Sequence, residues 1–414
     1  MTTTDTGRTP PPGRSVRGRD AVRAVSDRAT RAGRRLRGGD LGAFPVVIGL
    51  AMIWTTFQTL DSSFLTAANL TNLMLQVASV GMISVGIVMV LLLGEVDLSV
   101  GSVSGLCAAI MAVLNIKLGM AAELAVLAAL AGGLAVGVVQ GFFVARFGVP
   151  SFVATLAGLI AWQGLQLQLL GSTGTINLSP GFITRLVTTF LPGWASWALV
   201  ATVILCYGTS QFVESARRTR DGLWARPAPA VLARTALLAG SLLLVTAILN
   251  GHRGVPLAVV IFIGCVVLFD LILRHTRYGR SVFAIGGNAE AARRAGLRVN
   301  RIRMSVFAIA GLMAAAGGVL AGARLFAVNQ SSGSGDILLN AIAAAVIGGT
   351  SLFGGRGSAY SALLGVLVIG SVSNGIDLIG LGAPIKLMIT GAVLLTAVTI
   401  DALARRSRRA TGRG

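Results

Sequence analysis

The chain has 414 residues, of which 54% are hydrophobic and only 12% charged, with a mean hydropathy of +0.80. Soluble domains carry about 25% charged residues, so the shortage of solvating groups excludes a soluble enzyme, an extracellular domain and a disordered chain. The formal charge of +20 is left to explain, and its meaning depends on where the basic residues lie.

Residues 1–40 hold ten arginines, four aspartates and the run Thr9-Pro-Pro-Pro-Gly13, with no apolar core of the kind a cleavable signal needs. They read as a disordered basic cytoplasmic tail facing membrane lipid. Nucleic acid is not expected as a partner, because no aromatic residue interleaves the arginines. A bilayer core of ~30 Å needs about 20 apolar residues per helix. Apolar runs fall near 42–60, 72–93, 98–116, 121–145, 150–170, 190–212, 231–250, 255–273, 304–324, 338–355, 358–378 and 384–402. The expected fold is therefore an all-α integral membrane protein, a polytopic helical bundle of about 12 transmembrane spans. Residues 41–402 form its transmembrane domain, and a second basic cytoplasmic tail covers 403–414.

The first polar interruption is Gly94-Glu-Val-Asp-Leu-Ser-Val-Gly-Ser102. Acids are costly inside a bilayer, so Glu95 and Asp97 belong at a hinge or facing water. At i and i+2 they do not share a helical face. Asp97 or Ser99 capping the next helix and a proton or cation relay are the two readings of this turn. On the fifth run Trp162, Gln163, Gln166 and Gln168 follow Pro150. Gln163 and Gln166 share a face at i and i+3, and amides beside an indole suit either a neutral polar cargo or an interfacial anchor. Residues 274–303 hold eight arginines, with a strong helix-forming run at 289–295 between Gly286-Gly287-Asn288 and Gly296. Asn288 is the expected N-cap and Glu290 suits the helix dipole. Asn329 and Gln330 open a Ser/Gly-rich external loop ending at Asp336. Beyond it, Gly348-Gly-Thr-Ser-Leu-Phe-Gly-Gly-Arg-Gly-Ser358 echoes the first interruption. Paired glycine-bounded breaks of this kind mark either broken helices or ordinary tight turns.

With the N-terminus placed inside, 30 of the 35 basic residues fall on the cytoplasmic side of a twelve-span map, which puts both termini in the cytoplasm. Three separated cysteines and two histidines make no metal site at motif spacing. The only lysines, Lys117 and Lys386, each follow an isoleucine, so no phosphate-cradling loop exists. No catalytic triad or His-Glu-x-x-His helix is present, and no catalytic residues are assigned. The abundant glycine (54 residues) is expected mainly to serve close helix packing.

The segment Glu290-Ala291-Ala292, three residues and Gly296 resembles the cytoplasmic coupling loop of bacterial ABC importer permeases. Gly94–Ser102, Gly279-Arg-Ser-Val-Phe-Ala-Ile-Gly-Gly-Asn288, Ala341-Ile-Ala-Ala-Ala-Val-Ile-Gly-Gly-Thr-Ser351 and Leu352-Phe-Gly-Gly-Arg-Gly-Ser358 resemble signatures of the ribose/xylose-type monosaccharide permeases. The resemblance runs from about 45 to 402, and the long stretch 190–273 is more similar to the xylose and multiple-sugar branch. It implies a plasma-membrane permease subunit working as a homodimer, two cytoplasmic ATPase subunits that carry the ATP and Mg, and an extracytoplasmic sugar-binding protein. This chain would hold no cofactor itself. Glu290, Ala291, Ala292, Arg293 and Gly296 would dock the ATPase. Trp162, Gln163, Gln166, Asp97 and Ser99 are candidates for the substrate path, and Asn329 and Gln330 for contact with the binding protein. Glu95 departs from the family hinge, which commonly reads Gly-Gly-Ile-Asp-Leu-Ser, by adding a charge. A branched-chain amino-acid permease is the main rival, and an ion-coupled secondary transporter or a membrane-embedded enzyme are more distant ones.

Overall fold

The computed structural model describes residues 44–222 and 227–410. The tail at 1–40 and the last four residues of the tail at 403–414 lie outside this range. Each of the twelve apolar runs acquires a helix. In chain order these are α1 (Phe44–Leu60), α2 (Ala67–Leu92), α3 (Val100–Ala112, continued by a π turn to Lys117), α4 (Ala122–Arg146) and α5 (Ser151–Leu170). After strand β1 (Thr175–Asn177) and the short α6 (Phe182–Thr188) come α7 (Gly193–Arg220), α8 (Ala228–Asn250) and α9 (Leu257–His275). Two short helices follow, α10 (Arg277–Gly287) and α11 (Ala289–Arg294), then α12 (Val299–Leu325) and strand β2 (Ala327–Asn329). The chain ends with α13 (Gly335–Ile347), α14 (Tyr360–Leu378) and α15 (Ala383–Ala410).

Nine helices among the described residues are long and apolar enough to cross a bilayer, and three apolar helices are shorter: Val46–Leu60, Asp336–Ile347 and Ala383–Thr396. Helix α13 falls short of its apolar run at 338–355 because Gly348 and Gly349 end it. At 1.5 Å per residue its 13 residues cover about 20 Å, too little for the hydrocarbon thickness.

The bundle is organised around α12, which packs against α4, α2 and α3. On α4 the buried residues Ala125, Ala129, Gly133, Gly137 and Gly141 recur every fourth position, a ladder of small side chains that lets two helix backbones meet. A Cβ placed on Gly137 would strike the Phe307 carbonyl oxygen, and one on Gly311 of α12 would strike that of Gly133. Helices α13 and α14 form an antiparallel hairpin against α2. Across the α2–α14 seam the amides of Asn69 and Asn374 bond each other at 2.8 and 3.0 Å. The indole of Trp54 on α1 donates to Ser371 at 2.9 Å. Such intramembrane bonds average about 0.6 kcal/mol each, so they set register more than stability. Helices α7 and α8 pack mainly on each other and bury little of themselves. Their exposed Leu205, Leu237 and Leu244 make this pair an apolar outer flank.

The 27-residue α12 separates two functional ends by about 40 Å. At its start lie α10 and α11. At its finish β2 pairs antiparallel with β1, Thr175 opposite Asn329 and Asn177 opposite Ala327.

Candidate functional site

A cavity of about 220 Å³ is lined by Gly101 and Ser102 on the first turn of α3, Leu159, Gln163 and Gln166 on α5, and Gln330, Ser332, Gly333, Ser334 and Leu338. It exists because two segments decline to be helical. After Leu92 the chain runs non-helically to Ser99; the amides of Leu93, Gly94 and Glu95 bond carbonyls of α2, and later ones are satisfied by side chains. Val96 N–H donates to Ser151 Oγ at 3.2 Å and Leu98 N–H to Thr155 Oγ1 at 3.1 Å. Side-chain partners of this kind are what irregular backbone needs inside a bilayer, which fits a broken helix better than a plain turn. The second segment is the loop after β2, which folds back so that Gly333 lies against the backbone of Gly101 and Gly105. Helix α13 then starts beside α3.

The sequence-predicted path residues separate here. Gln163 is exposed on the cavity wall and makes no hydrogen bond within the described residues. Gln166 is buried, and its amide is committed to the carbonyls of Asn329 at 3.1 Å and Ser332 at 2.9 Å, so it braces the loop. Gln330 also lines the cavity. Asn329 ties the loop to itself, its Oδ1 accepting from Ser331 N–H at 3.0 Å. Trp162 does not line the cavity; its buried indole Nε1 has no hydrogen-bond partner among the described residues. Asp97 and Ser99 lie behind the cavity in a closed network. Asp97 Oδ1 accepts from Ser99 N–H at 2.8 Å and Ser99 Oγ at 2.6 Å. Ser99 Oγ also meets the Gln140 amide at 2.7 Å. The expectation that Asp97 or Ser99 caps α3 is corrected: Ser99 occupies the N-cap position without a side-chain cap bond, and Asp97 closes the preceding turn. Gln140 and Thr155, the partners that hold this stretch, were missed; their signal was an isolated amide and hydroxyl facing inward on apolar runs.

At the other end of α12, Asn288 caps α11 as its sequence predicts, Oδ1 accepting from Ala291 N–H at 2.9 Å. Gly296 follows the helix at φ +84°, a left-handed conformation that favours glycine. Ala292 is the buried anchor of α11, whereas Glu290, Ala291, Arg293 and Gly296 are exposed. Glu290 pairs with Arg293 at 3.3 Å and Arg294 at 3.2 Å, so this face is polar, charged and short. Helix α10, which the basic composition concealed, buries Val282 and Ile285. Burial pushes the Tyr278 phenol above its usual range, offset in part by its bond to Ser305. The two ends of residues 274–303 are each tied to a hinge. Arg274 pairs with Asp270 at 2.8 Å, and Ser358 Oγ donates to the same carboxylate at 3.2 Å. Arg303 pairs with Glu95 at 3.0 Å.

A multi-pass bundle with an uncharged cavity, two non-helical breaks and an exposed charged helix on a basic loop has the form of a transport-system permease. The family model described as the permease component of the branched-chain amino acid transport system matches residues 69–398, and the chain belongs to that family. It is 36% identical over 361 residues to the xylose transport system permease protein XylH of Escherichia coli K12, covering 87% of this chain and 90% of the relative. The XylH of Haemophilus influenzae is 34% identical over 370 residues (89% and 98%), and the E. coli ribose import permease protein RbsC 32% over 356 residues (86% and 92%). No solved structure matches. The resemblance read from the motifs is thereby shown, and the chain is a multi-pass protein of the bacterial plasma membrane.

Proposed function

We propose that this chain is the membrane-spanning subunit of an ATP-binding-cassette importer that carries a monosaccharide, xylose or a similar pentose or hexose, into the cell. The observation that carries this reading is the 36% identity to a xylose permease across most of both chains. Two copies of the chain form the pathway. A separate ATPase supplies energy with its own ATP and Mg, and an extracytoplasmic binding protein delivers the sugar. The twelve helices, with 30 of 35 basic residues on one side of their map, support both termini in the cytoplasm.

Transport is alternating access. Closure of the ATPase pair draws the two α11 helices together and rocks the bundle between two packings. The Gln163 and Gln330 amides offer neutral donors and acceptors to hydroxyls while the cavity stays free of charge. Of the acids an ion-coupled carrier would need, Glu95, Asp270 and Asp377 are each paired with a cation and Asp97 is held by Ser99. This arrangement favours the ATP-driven reading. The description of the matched family keeps branched-chain amino acids as the second reading.

Reconstitution with a sugar-family ATPase and its binding protein tests both. Labelled xylose should enter only with ATP; uptake that needs no ATP and collapses with the proton gradient overturns the proposal, and ATP-driven leucine uptake without xylose uptake selects the second reading. Glu290→Arg should lower ATPase capture in pull-down at least about tenfold, since a charge reversal at a docked interface costs several kcal/mol, with membrane insertion unchanged. Gln163→Leu should slow uptake about tenfold, the loss of one or two hydrogen bonds to the sugar, while docking stays intact. Unchanged uptake would remove Gln163 from the path.

A further inference from the structure

We infer that Glu95 and Arg303 form the tie that carries movement of the coupling segment into the first broken helix, making Glu95 a positioning residue for energy coupling. The inference rests on the importer reading above and names how its two ends communicate.

Arg303 Nη2 lies 3.0 Å from Glu95 Oε1, with the two side chains 23% and 14% exposed. Arg303 stands at the start of α12, which follows α11 through the short link Ala295–Arg298. That link is stiff: Gly296 N–H bonds Arg293 O and Leu297 N–H bonds Ala292 O. A displacement of α11 therefore reaches the first turn of α12 directly. Glu95 begins the non-helical stretch that ends at Ser99, and Gly101 and Ser102 two to three residues later are cavity wall. Glu95 N–H bonds Val90 O at 3.3 Å, and beyond it the stretch is held by the hydroxyls of Ser151 and Thr155 and by the Asp97–Ser99–Gln140 network. Such bonds can be exchanged one at a time, so this part of the chain can slide while α3 stays intact.

An ion pair suits the task. Separating two half-desolvated charges leaves each unpaired, which costs far more than moving them together, so Glu95 follows Arg303 as the end of α12 shifts. At the other end of the same segment Arg274 and Asp270 hold Ser358. The two hinges are stitched to each other by Gly355 N–H donating to Leu92 O at 2.9 Å. Both ends of the cytoplasmic segment thus grip both breaks in the bundle, and the Glu95 grip is the nearer to the cavity wall along the chain, six residues from Gly101 against eighteen or more between Leu338 and the second hinge's Arg356–Ser358.

The test uses the full complex in proteoliposomes with xylose, measuring ATP hydrolysed per sugar imported, together with pull-down of the ATPase. Wild-type chain that fails to import xylose with ATP refutes the importer reading itself, before any variant is compared. With import established, Glu95→Gln should keep ATPase capture and hydrolysis near wild type but reduce import about tenfold, raising the ATP cost per sugar by the same factor. The exchanged chain E95R/R303E should recover at least half of the lost coupling. Import at the wild-type ratio in Glu95→Gln, or equal falls in hydrolysis and import, overturns the inference. If Glu95→Gln does not accumulate in the membrane, the exchanged chain alone decides: an inserted, ATP-hydrolysing exchanged chain that imports at less than half the wild-type efficiency also overturns it.

Discussion

Gly137→Leu on α4 should leave less than about a tenth of the protein monodisperse after detergent extraction, because overpacking a tight contact costs about 1–3 kcal/mol even where side chains can yield. Here they cannot. The atom facing Gly137 is the backbone carbonyl of Phe307, followed by the Ala308 Cα at 2.8 Å. Relief requires α12 to move away from α4 along the whole ladder of Ala125, Ala129, Gly133 and Gly141. Since α12 also carries α2 and α3, the displacement reaches the centre of the bundle. Val139→Leu on the same helix is the control: Val139 is 43% exposed, so its variant should behave as wild type. Size-exclusion profiles of tagged protein decide the matter. A monodisperse, thermally normal Gly137→Leu would show that α4 and α12 do not pack as closely as this geometry requires.

That ladder was legible as composition but not as contact. Abundant glycine in an apolar chain points to close packing, yet nothing in residues 133–141 says which helix they meet. The same division runs through the functional end. Asn288 and Gly296 were readable because a cap and a left-handed stop act within a few residues. Helix α10 was not, because Arg277, Arg280 and Ser281 make 274–303 look like a basic loop, and only Val282 and Ile285 betray a buried side. The broken helix at 94–99 was visible as glycine and acid in an apolar context, whereas its partners Thr155 and Gln140 lie 57 and 41 residues from the atoms they bond. Long-range partners leave no local trace. Glu95 shows the limit most clearly: as sequence it was an odd charge at a hinge, and only the fold supplied Arg303.

The convergence of three glycine motifs gives the second large effect. Gly286 of α10, Leu92 at the end of α2, and Gly354 and Gly355 of the second hinge meet backbone to backbone. A Cβ on Gly286 would collide with the Leu92 carbonyl oxygen and sit 2.6 Å from Gly355 N. The bond from Gly355 N–H to Leu92 O at 2.9 Å lies in the same place and would be forced open. Gly286→Ala therefore adds overpacking strain to a lost buried hydrogen bond, together about 2–4 kcal/mol. The strain is localised where the coupling segment touches both hinges. The expected phenotype is a chain that inserts and still captures ATPase through the exposed face of α11, while sugar uptake falls about a hundredfold, the rate equivalent of some 2.7 kcal/mol. Gly287→Ala, one residue away, has open space around its Cβ and should import normally. Uptake by the two variants side by side separates a packing junction from a segment that merely needs flexibility. Equal loss in both would mean that glycine at 286–287 serves backbone freedom, and equal tolerance would mean that the three motifs do not meet in the transporting protein.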